Sequence, residues 1–152
     1  MACIMSFSCN EQFGALFGYQ WAFIFIGAAA LFDFCDGAAA RLLHLYSLIG
    51  KELDSLADLI SFGLAPALLM YNTVDSYNDG SWLSYFALAI VVFGALRLAK
   101  FNVDELQTTS FRGLPIPANA LFWIGICSWI HTHQYPGNTI LIILLLGVSF
   151  LM

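Results

Sequence analysis

Four apolar runs, each long enough to cross a lipid bilayer as a helix, limit what this chain can fold into. They cover residues 19–40, 53–71, 82–98 and 114–130, and a transmembrane helix needs about 17 or more largely apolar residues. Of the 152 residues, 61% are hydrophobic and only 10% are charged, whereas a soluble domain carries about 25% charged residues. The sequence therefore predicts an all-α fold, a polytopic transmembrane helical bundle.

Shorter apolar runs lie at both ends of the chain, at residues 1–7 and 139–152. A partial helix would leave backbone groups unsatisfied in hydrocarbon. We therefore expect a six-helix protein whose first and last helices are truncated. No repeat or linker divides the chain, so residues 1–152 are expected to form a single membrane domain.

The basic residues predict the orientation in the membrane. Arg41 and Lys51 flank the connection between the first two complete runs, and Arg97, Lys100 and Arg112 lie at or within the connection after the third. The remaining connections contain no Lys or Arg. Because Lys and Arg are enriched in cytoplasmic loops, we expect these two connections to face the cytoplasm.

Acidic residues inside the apolar runs are the most informative polar feature. Four aspartates lie within the first two complete runs: Asp33, Asp36, Asp54 and Asp58. At 1.5 Å per residue, Asp33 lies about 12 Å inside Arg41, and Asp58 lies about 10 Å beyond Lys51. Spacings of three and four residues keep each pair on one face of its helix. We therefore expect four carboxylates to converge at one depth in the cytoplasmic leaflet.

Such a convergence needs compensating positive charge. A charged aspartate near the bilayer centre costs about 2.5–3.5 kcal/mol on insertion scales, and neighbouring like charges add repulsion. Carboxylate oxygens are hard ligands that suit Mg²⁺ or Mn²⁺, and two ions could share the four carboxylates. The alternative is that the aspartates form structural ion pairs with Arg41 and Lys51.

Small residues follow the first aspartate pair. Gly37 and the alanines that end at Ala40 would let either a ligand or another backbone approach closely, so ligand binding and helix packing both remain open. Arg41 lies one turn beyond Gly37 on the same face and could pair with a phosphate.

These residues fit one ordered pattern. The chain reads Asp36-Gly37-x-x-Ala40-Arg41, then eight residues, then Gly50-x-x-x-Asp54-x-x-x-Asp58, with Asp33 three residues ahead. The pattern resembles the signature of the CDP-alcohol phosphatidyltransferase family, and every fixed position of that signature is filled. Further similarity, to the branch of the family that uses serine, lies at residues 51–67, 96–103 and 111–118.

The resemblance implies an activity, a cofactor and a location. It implies a homodimer of six-helix protomers in a bacterial inner membrane, with two divalent metals in a cavity that faces the cytoplasm. CDP-diacylglycerol would transfer its phosphatidyl group to L-serine and release CMP, and no nucleic acid is expected as a partner. All four aspartates would serve the metals, and Asp58 would also act as the general base. The donor substrate would bind near the other signature positions, which are Asp36, Gly37, Ala40, Arg41 and Gly50.

Recognition of serine would need a cation for its carboxylate. Arg97 and Lys100, with Asn102 nearby, are the candidates, and the alternative is that the two basic residues only anchor their helix at the membrane surface. Two other functions remain open. The acceptor could be another alcohol, such as glycerol phosphate or inositol phosphate, or the carboxylates could belong to a divalent-metal transporter. Against transport, the outer halves of the first two complete runs contain no acidic residue.

Overall fold

Helices account for most of the residues that the structure describes. The computed structural model describes residues 1–8, 10–43, 47–78, 82–103, 115–133 and 136–150. The α-helices are α1 (Ala2–Phe7), α2 (Gly18–Leu43), α3 (Leu48–Asp58), α4 (Ala65–Asn78), α5 (Ala89–Val103), α6 (Ile116–Thr132) and α7 (Asn138–Phe150). A π-helical segment at Leu59–Leu64, called the π turn below, joins α3 to α4. A 3₁₀ helix at Trp82–Leu88 leads into α5.

Three helical stretches within the described residues are long and apolar enough to cross a membrane. They are Gly18–Ala40, Ile49–Tyr77 and Trp82–Lys100. The second stretch extends beyond the predicted run at both ends, because α3, the π turn and α4 are continuous. Helix α6 has 17 residues, and α7 contains a shorter apolar stretch, Thr139–Val148. The prediction of a transmembrane helical bundle is confirmed.

The connection between α1 and α2 contains a feature that the all-α prediction does not include. Strand β1 (Gln12–Phe13) pairs antiparallel with β2 (Leu16–Phe17). Gly14, between the strands, has a φ of +69°, a conformation that glycine adopts without a steric penalty. The ladder has two residues in each strand, so it closes a local turn and leaves the fold class unchanged.

The larger core cluster joins α2, α4, α6 and α7. Its fully buried members include Ala22, Met70, Trp123, Cys127 and Leu145. The buried hydroxyl of Thr73 is satisfied: it donates to the Leu69 carbonyl at 2.8 Å, and it lies 3.1 Å from the sulfur of Cys127. This packing fixes the half of α2 that precedes the aspartates.

A second core cluster joins the π turn to α2 and α6. It consists of Ile26, Phe62, Ala65, Ile116 and Ala120, all buried. Phe62 lies within the π turn, and Ile116 is the first residue of α6. This cluster therefore sets the position of the π turn, which directly follows Asp58.

Candidate active site

The end of α2 and the start of α3 bring three carboxylates together. The carboxylate oxygens of Asp33, Asp36 and Asp54 all lie within 4.8 Å of one another. Asp33 and Asp36 are three residues apart on α2, so they share a face. Helix α3 begins beside them because the Ser47 side chain caps it, accepting a hydrogen bond from the Gly50 amide at 2.9 Å. The predicted convergence is therefore present for these three aspartates.

The fourth aspartate lies beside this group. Asp58 is the last residue of α3, and its side chain lies within hydrogen-bonding distance of Asp33. It is half-buried, whereas Asp36 and Asp54 are exposed. Within the described residues, the set of carboxylates that lie mutually within 4.8 Å does not include Asp58. The structure thus places one aspartate at the edge of a three-carboxylate cluster.

Three of the four aspartates open onto a cavity of about 730 Å³, and Asp36 is not among its lining residues. The charged residues of the lining are Asp33, Asp54, Asp58 and Arg97. The rest of the lining is mainly apolar, and it includes Phe34, Leu42, Leu98, Pro115, Ile116 and Pro117. A cavity lined by both charged and apolar side chains can hold a ligand that is both charged and hydrophobic.

Gly37 and Gly50 differ in the space that surrounds them. Gly37 lines the cavity, and a Cβ atom added there would meet nothing within 4 Å. Packing within the described chain therefore does not require a glycine at this position. At Gly50 an added Cβ would lie 2.8 Å from the Ser47 hydroxyl oxygen, so a side chain there would crowd the group that caps α3.

The other two donor-site candidates are only partly described. Ala40 is half-buried on α2 and is not among the cavity-lining residues. Arg41 also belongs to α2, but its side chain lies outside the described part of the structure, so the predicted contact with a phosphate stays a prediction.

The three candidates for serine recognition separate in the structure. Arg97 is half-buried and lines the cavity, and its buried Nε atom has no hydrogen-bond partner among the described residues. Lys100 is exposed and is not among the cavity-lining residues. Asn102 lies in α5, but its side chain is outside the described part. Of the two described cations, Arg97 is the one available to a ligand in the cavity.

The sequence interpretation missed the π turn and the buried side chain of Asn119. A possible signal for the π turn was Pro66 in the middle of an apolar run, since proline disrupts the regular hydrogen bonds of a helix. Asn119 is completely buried in α6, and neither polar atom of its amide has a partner among the described residues. Asn119 is a single polar residue in an otherwise apolar stretch and belongs to no recognisable motif, so the sequence alone did not identify it.

The donor atoms of the cluster suit a hard divalent cation. They are carboxylate oxygens from three aspartates, and such oxygens are the ligands that Mg²⁺ and Mn²⁺ prefer. Charges this close repel one another in the absence of a counter-ion. The cluster can therefore hold a divalent metal ion by the chemistry of its ligands.

Fold and site together define a membrane-embedded helical protein with an acidic centre beside an amphipathic cavity. The sequence profile described as CDP-alcohol phosphatidyltransferase matches residues 1–151. The chain belongs to the CDP-alcohol phosphatidyltransferase family.

Curated relatives carry a more specific name. The chain is 42% identical over 124 residues to a protein of Methanocaldococcus jannaschii, covering 82% of this chain and 58% of that one. It is 40% identical over 132 residues to one of Bacillus subtilis, covering 86% and 70%. It is 41% identical over 117 residues to one of Saccharomyces cerevisiae, covering 70% and 41%. Each relative is named CDP-diacylglycerol–serine O-phosphatidyltransferase. No solved structure matches the chain.

Proposed function

We propose that the protein transfers the phosphatidyl group of CDP-diacylglycerol to the hydroxyl group of L-serine, forming phosphatidylserine and CMP. The observation that carries this proposal is that three of the four aspartates and Arg97 line the same amphipathic cavity. The relatives named above support the choice of serine. Because the chain spans 58% of the length of the first of them, the activity is proposed for the protein that contains this domain.

The cavity suits the donor because its charged and apolar lining residues match the charged and apolar parts of CDP-diacylglycerol. The pyrophosphate would lie near the aspartates, and the acyl chains would leave along apolar residues such as Phe34 and Leu42. Gly37 offers open space in which the nucleotide could approach the α2 backbone. This assignment favours ligand binding over helix packing as the reason for that glycine.

The carboxylate cluster would hold the metal. Asp33, Asp36 and Asp54 are the ligands that the geometry supports best, and Asp58 lies close enough to Asp33 to join them. Bound Mg²⁺ or Mn²⁺ would offset negative charge on the phosphoryl oxygens and on the departing CMP. Two ions for each site are proposed from the family resemblance.

The acceptor chemistry would use Asp58 and Arg97. Asp58 lies at the edge of the cluster and lines the cavity, so it would accept the proton of the serine hydroxyl as general base. The serine oxygen then forms a bond to the lipid-side phosphorus, while the bond from that phosphorus to the CMP oxygen breaks. The guanidinium group of Arg97 would pair with the serine carboxylate, a geometry that arginine favours.

The basic loops indicate which side of the membrane the cavity would face. The loops that carry Arg41–Lys51 and Arg97–Arg112 would face the cytoplasm, which would let water-soluble serine enter the cavity while the lipid tails stay in the bilayer. We propose a bacterial inner membrane and a homodimer on the basis of the family resemblance.

The proposal is tested by CMP release from CDP-diacylglycerol in detergent with Mn²⁺ or Mg²⁺ and a panel of acceptors. The panel contains L-serine, glycerol phosphate, inositol phosphate and no acceptor, and the protein is the full-length chain. We expect CMP release that needs both metal and L-serine. Release with a different alcohol alone would contradict the choice of serine, and metal binding without CMP release for any acceptor would favour a transporter.

A further inference from the structure

The π turn directly follows Asp58 and changes the spacing of the backbone hydrogen bonds. The Leu59 amide still donates to the Ser55 carbonyl, four residues earlier. The Ala65 amide donates to the Ile60 carbonyl, five residues earlier. A π turn therefore inserts one extra residue into the helix, and one residue corresponds to a rotation of about 100°. The faces of α3 and α4 are offset by this angle relative to a continuous α-helix.

This offset determines which residues of α3 share the buried face of α4. That face runs through Pro66, Met70 and Thr73, all fully buried. In an uninterrupted α-helix, the residues about two and three turns before Pro66 would be Leu59 and Ser55. Without the π turn, those two side chains would continue the buried face.

The extra residue moves the alignment back by one position along α3. Asp58 and Asp54 then take the place of Leu59 and Ser55 on the face of α3 that lines the cavity. The cavity agrees with this shift, because both aspartates line it and neither Leu59 nor Ser55 is among its lining residues. The π turn thus accounts for the orientation of two of the four carboxylates.

Two residues explain why the helix takes this path. Pro66 has no amide hydrogen, and in an α-helix its ring would clash with the carbonyl of Phe62, four residues earlier. Gly63 lies within the π turn and is buried. A Cβ atom added to Gly63 would lie 3.1 Å from Cδ1 of Leu59, which is tighter than an ordinary van der Waals contact.

We propose that the π turn is a positioning device, held by Pro66 and Gly63, which directs Asp54 and Asp58 into the cavity. Neither Pro66 nor Gly63 is among the cavity-lining residues, so both act through the aspartates. The claim that this orientation matters for metal binding rests on the proposed function. The orientation itself is independent of that function.

The test separates the rotation of the helix from a general loss of packing. Pro66→Ala permits a continuous α-helix, which would rotate the two aspartates away from the cavity by about 100°. Pro66→Ala combined with deletion of Ile60, which is 55% exposed, removes the extra residue and realigns the aspartates. Pro66→Ala combined with deletion of Tyr77, near the end of α4, has the same length but leaves the misalignment.

The first readout is Mn²⁺ binding to the purified full-length protein, measured by electron paramagnetic resonance. We expect Pro66→Ala to weaken binding by about 10- to 100-fold, as for other changes that disorient metal ligands. The Ile60 deletion should restore near wild-type affinity, and the Tyr77 deletion should not. Unchanged affinity in Pro66→Ala, or equal recovery with both deletions, would overturn the proposal.

The second readout needs no metal. Asp54→Cys is placed in a chain whose four native cysteines are replaced, and its reaction with a charged, membrane-impermeant thiol reagent is timed. We expect fast labelling in the parent, slow labelling with Pro66→Ala, and fast labelling again once Ile60 is also deleted. This pattern without any CMP release would support the inference while contradicting the proposed function. If Pro66→Ala does not fold, slow labelling in the Ile60-deleted chain overturns the inference and fast labelling supports it.

Discussion

Asp33 and Asp54 belong to different helices, yet their carboxylate oxygens lie within 4.8 Å of each other. Asp33 lies ten residues before the end of α2 at Leu43, and Asp54 lies six residues after the start of α3 at Leu48. The two helices therefore meet at the depth of these carboxylates. Two negative charges at this separation favour a shared cation.

Asp58→Asn is expected to lower kcat by about 10²- to 10⁴-fold, the usual contribution of a general base. Its effect on Mn²⁺ affinity should be smaller than that of Asp54→Asn, because Asp54 belongs to the three-carboxylate cluster. Steady-state CMP release and Mn²⁺ titration on the same samples measure both effects. Equal losses of Mn²⁺ affinity in the two variants would show that Asp58 acts mainly as a metal ligand.

Gly37→Ala is expected to raise KM for CDP-diacylglycerol without loss of stability. The added methyl group meets no protein atom within 4 Å, and alanine stabilises a helix interior by about 0.5–1 kcal/mol relative to glycine. The matched control is Gly27→Ala, also in α2 with open space around it but outside the cavity lining. The two variants should have similar thermal unfolding midpoints and should differ only in KM for CDP-diacylglycerol. An unchanged KM in Gly37→Ala would argue against a close approach of the donor.

Arg97→Gln is expected to raise KM for serine with a smaller effect on KM for CDP-diacylglycerol, because the cation that pairs with the serine carboxylate is removed. Lys100→Gln serves as the control, since Lys100 lies on the same helix and is exposed. Substrate titrations of both variants provide the measurement. An equal rise in serine KM for the two would indicate a general electrostatic effect and not a specific contact.

Asn119→Leu is expected to raise the thermal unfolding midpoint. The Asn119 amide is fully buried, and neither of its polar atoms has a partner in the part of the chain that the structure describes. Leaving such a group unsatisfied costs about 1–3 kcal/mol. Leucine has a similar shape and removes that cost. Thermal unfolding in detergent, followed by circular dichroism, checks the result, and a lower midpoint would show that the amide has a partner in the assembled protein.

The sequence contained enough information to predict the membrane bundle and the proximity of three of the aspartates. Periodicity places Asp33 and Asp36 on one helix face, and the short connection to α3 limits where Asp54 can lie. The π turn was not predictable in the same way. Pro66 marks a disturbance in the helix, but whether the chain responds with a kink or an extra residue depends on packing against α2 and α6.

The two cations on α5 also show that sequence spacing does not determine which side chain lines the cavity. Arg97 and Lys100 are three residues apart, so their spacing alone places them on one face. In the structure Arg97 lines the cavity together with Pro115, Ile116 and Pro117, whereas Lys100 does not line it. That arrangement is a tertiary one, and no local pattern in α5 encodes it.

The most direct test of the central claim is the incorporation of isotopically labelled L-serine into a chloroform-soluble product by the full-length protein with CDP-diacylglycerol and Mn²⁺. The account predicts labelled phosphatidylserine, formed together with an equal amount of CMP, and its loss on chelation of the metal or in Asp54→Asn. Labelled lipid that persists in Asp54→Asn and in the presence of chelator would contradict the role given to the carboxylate cluster.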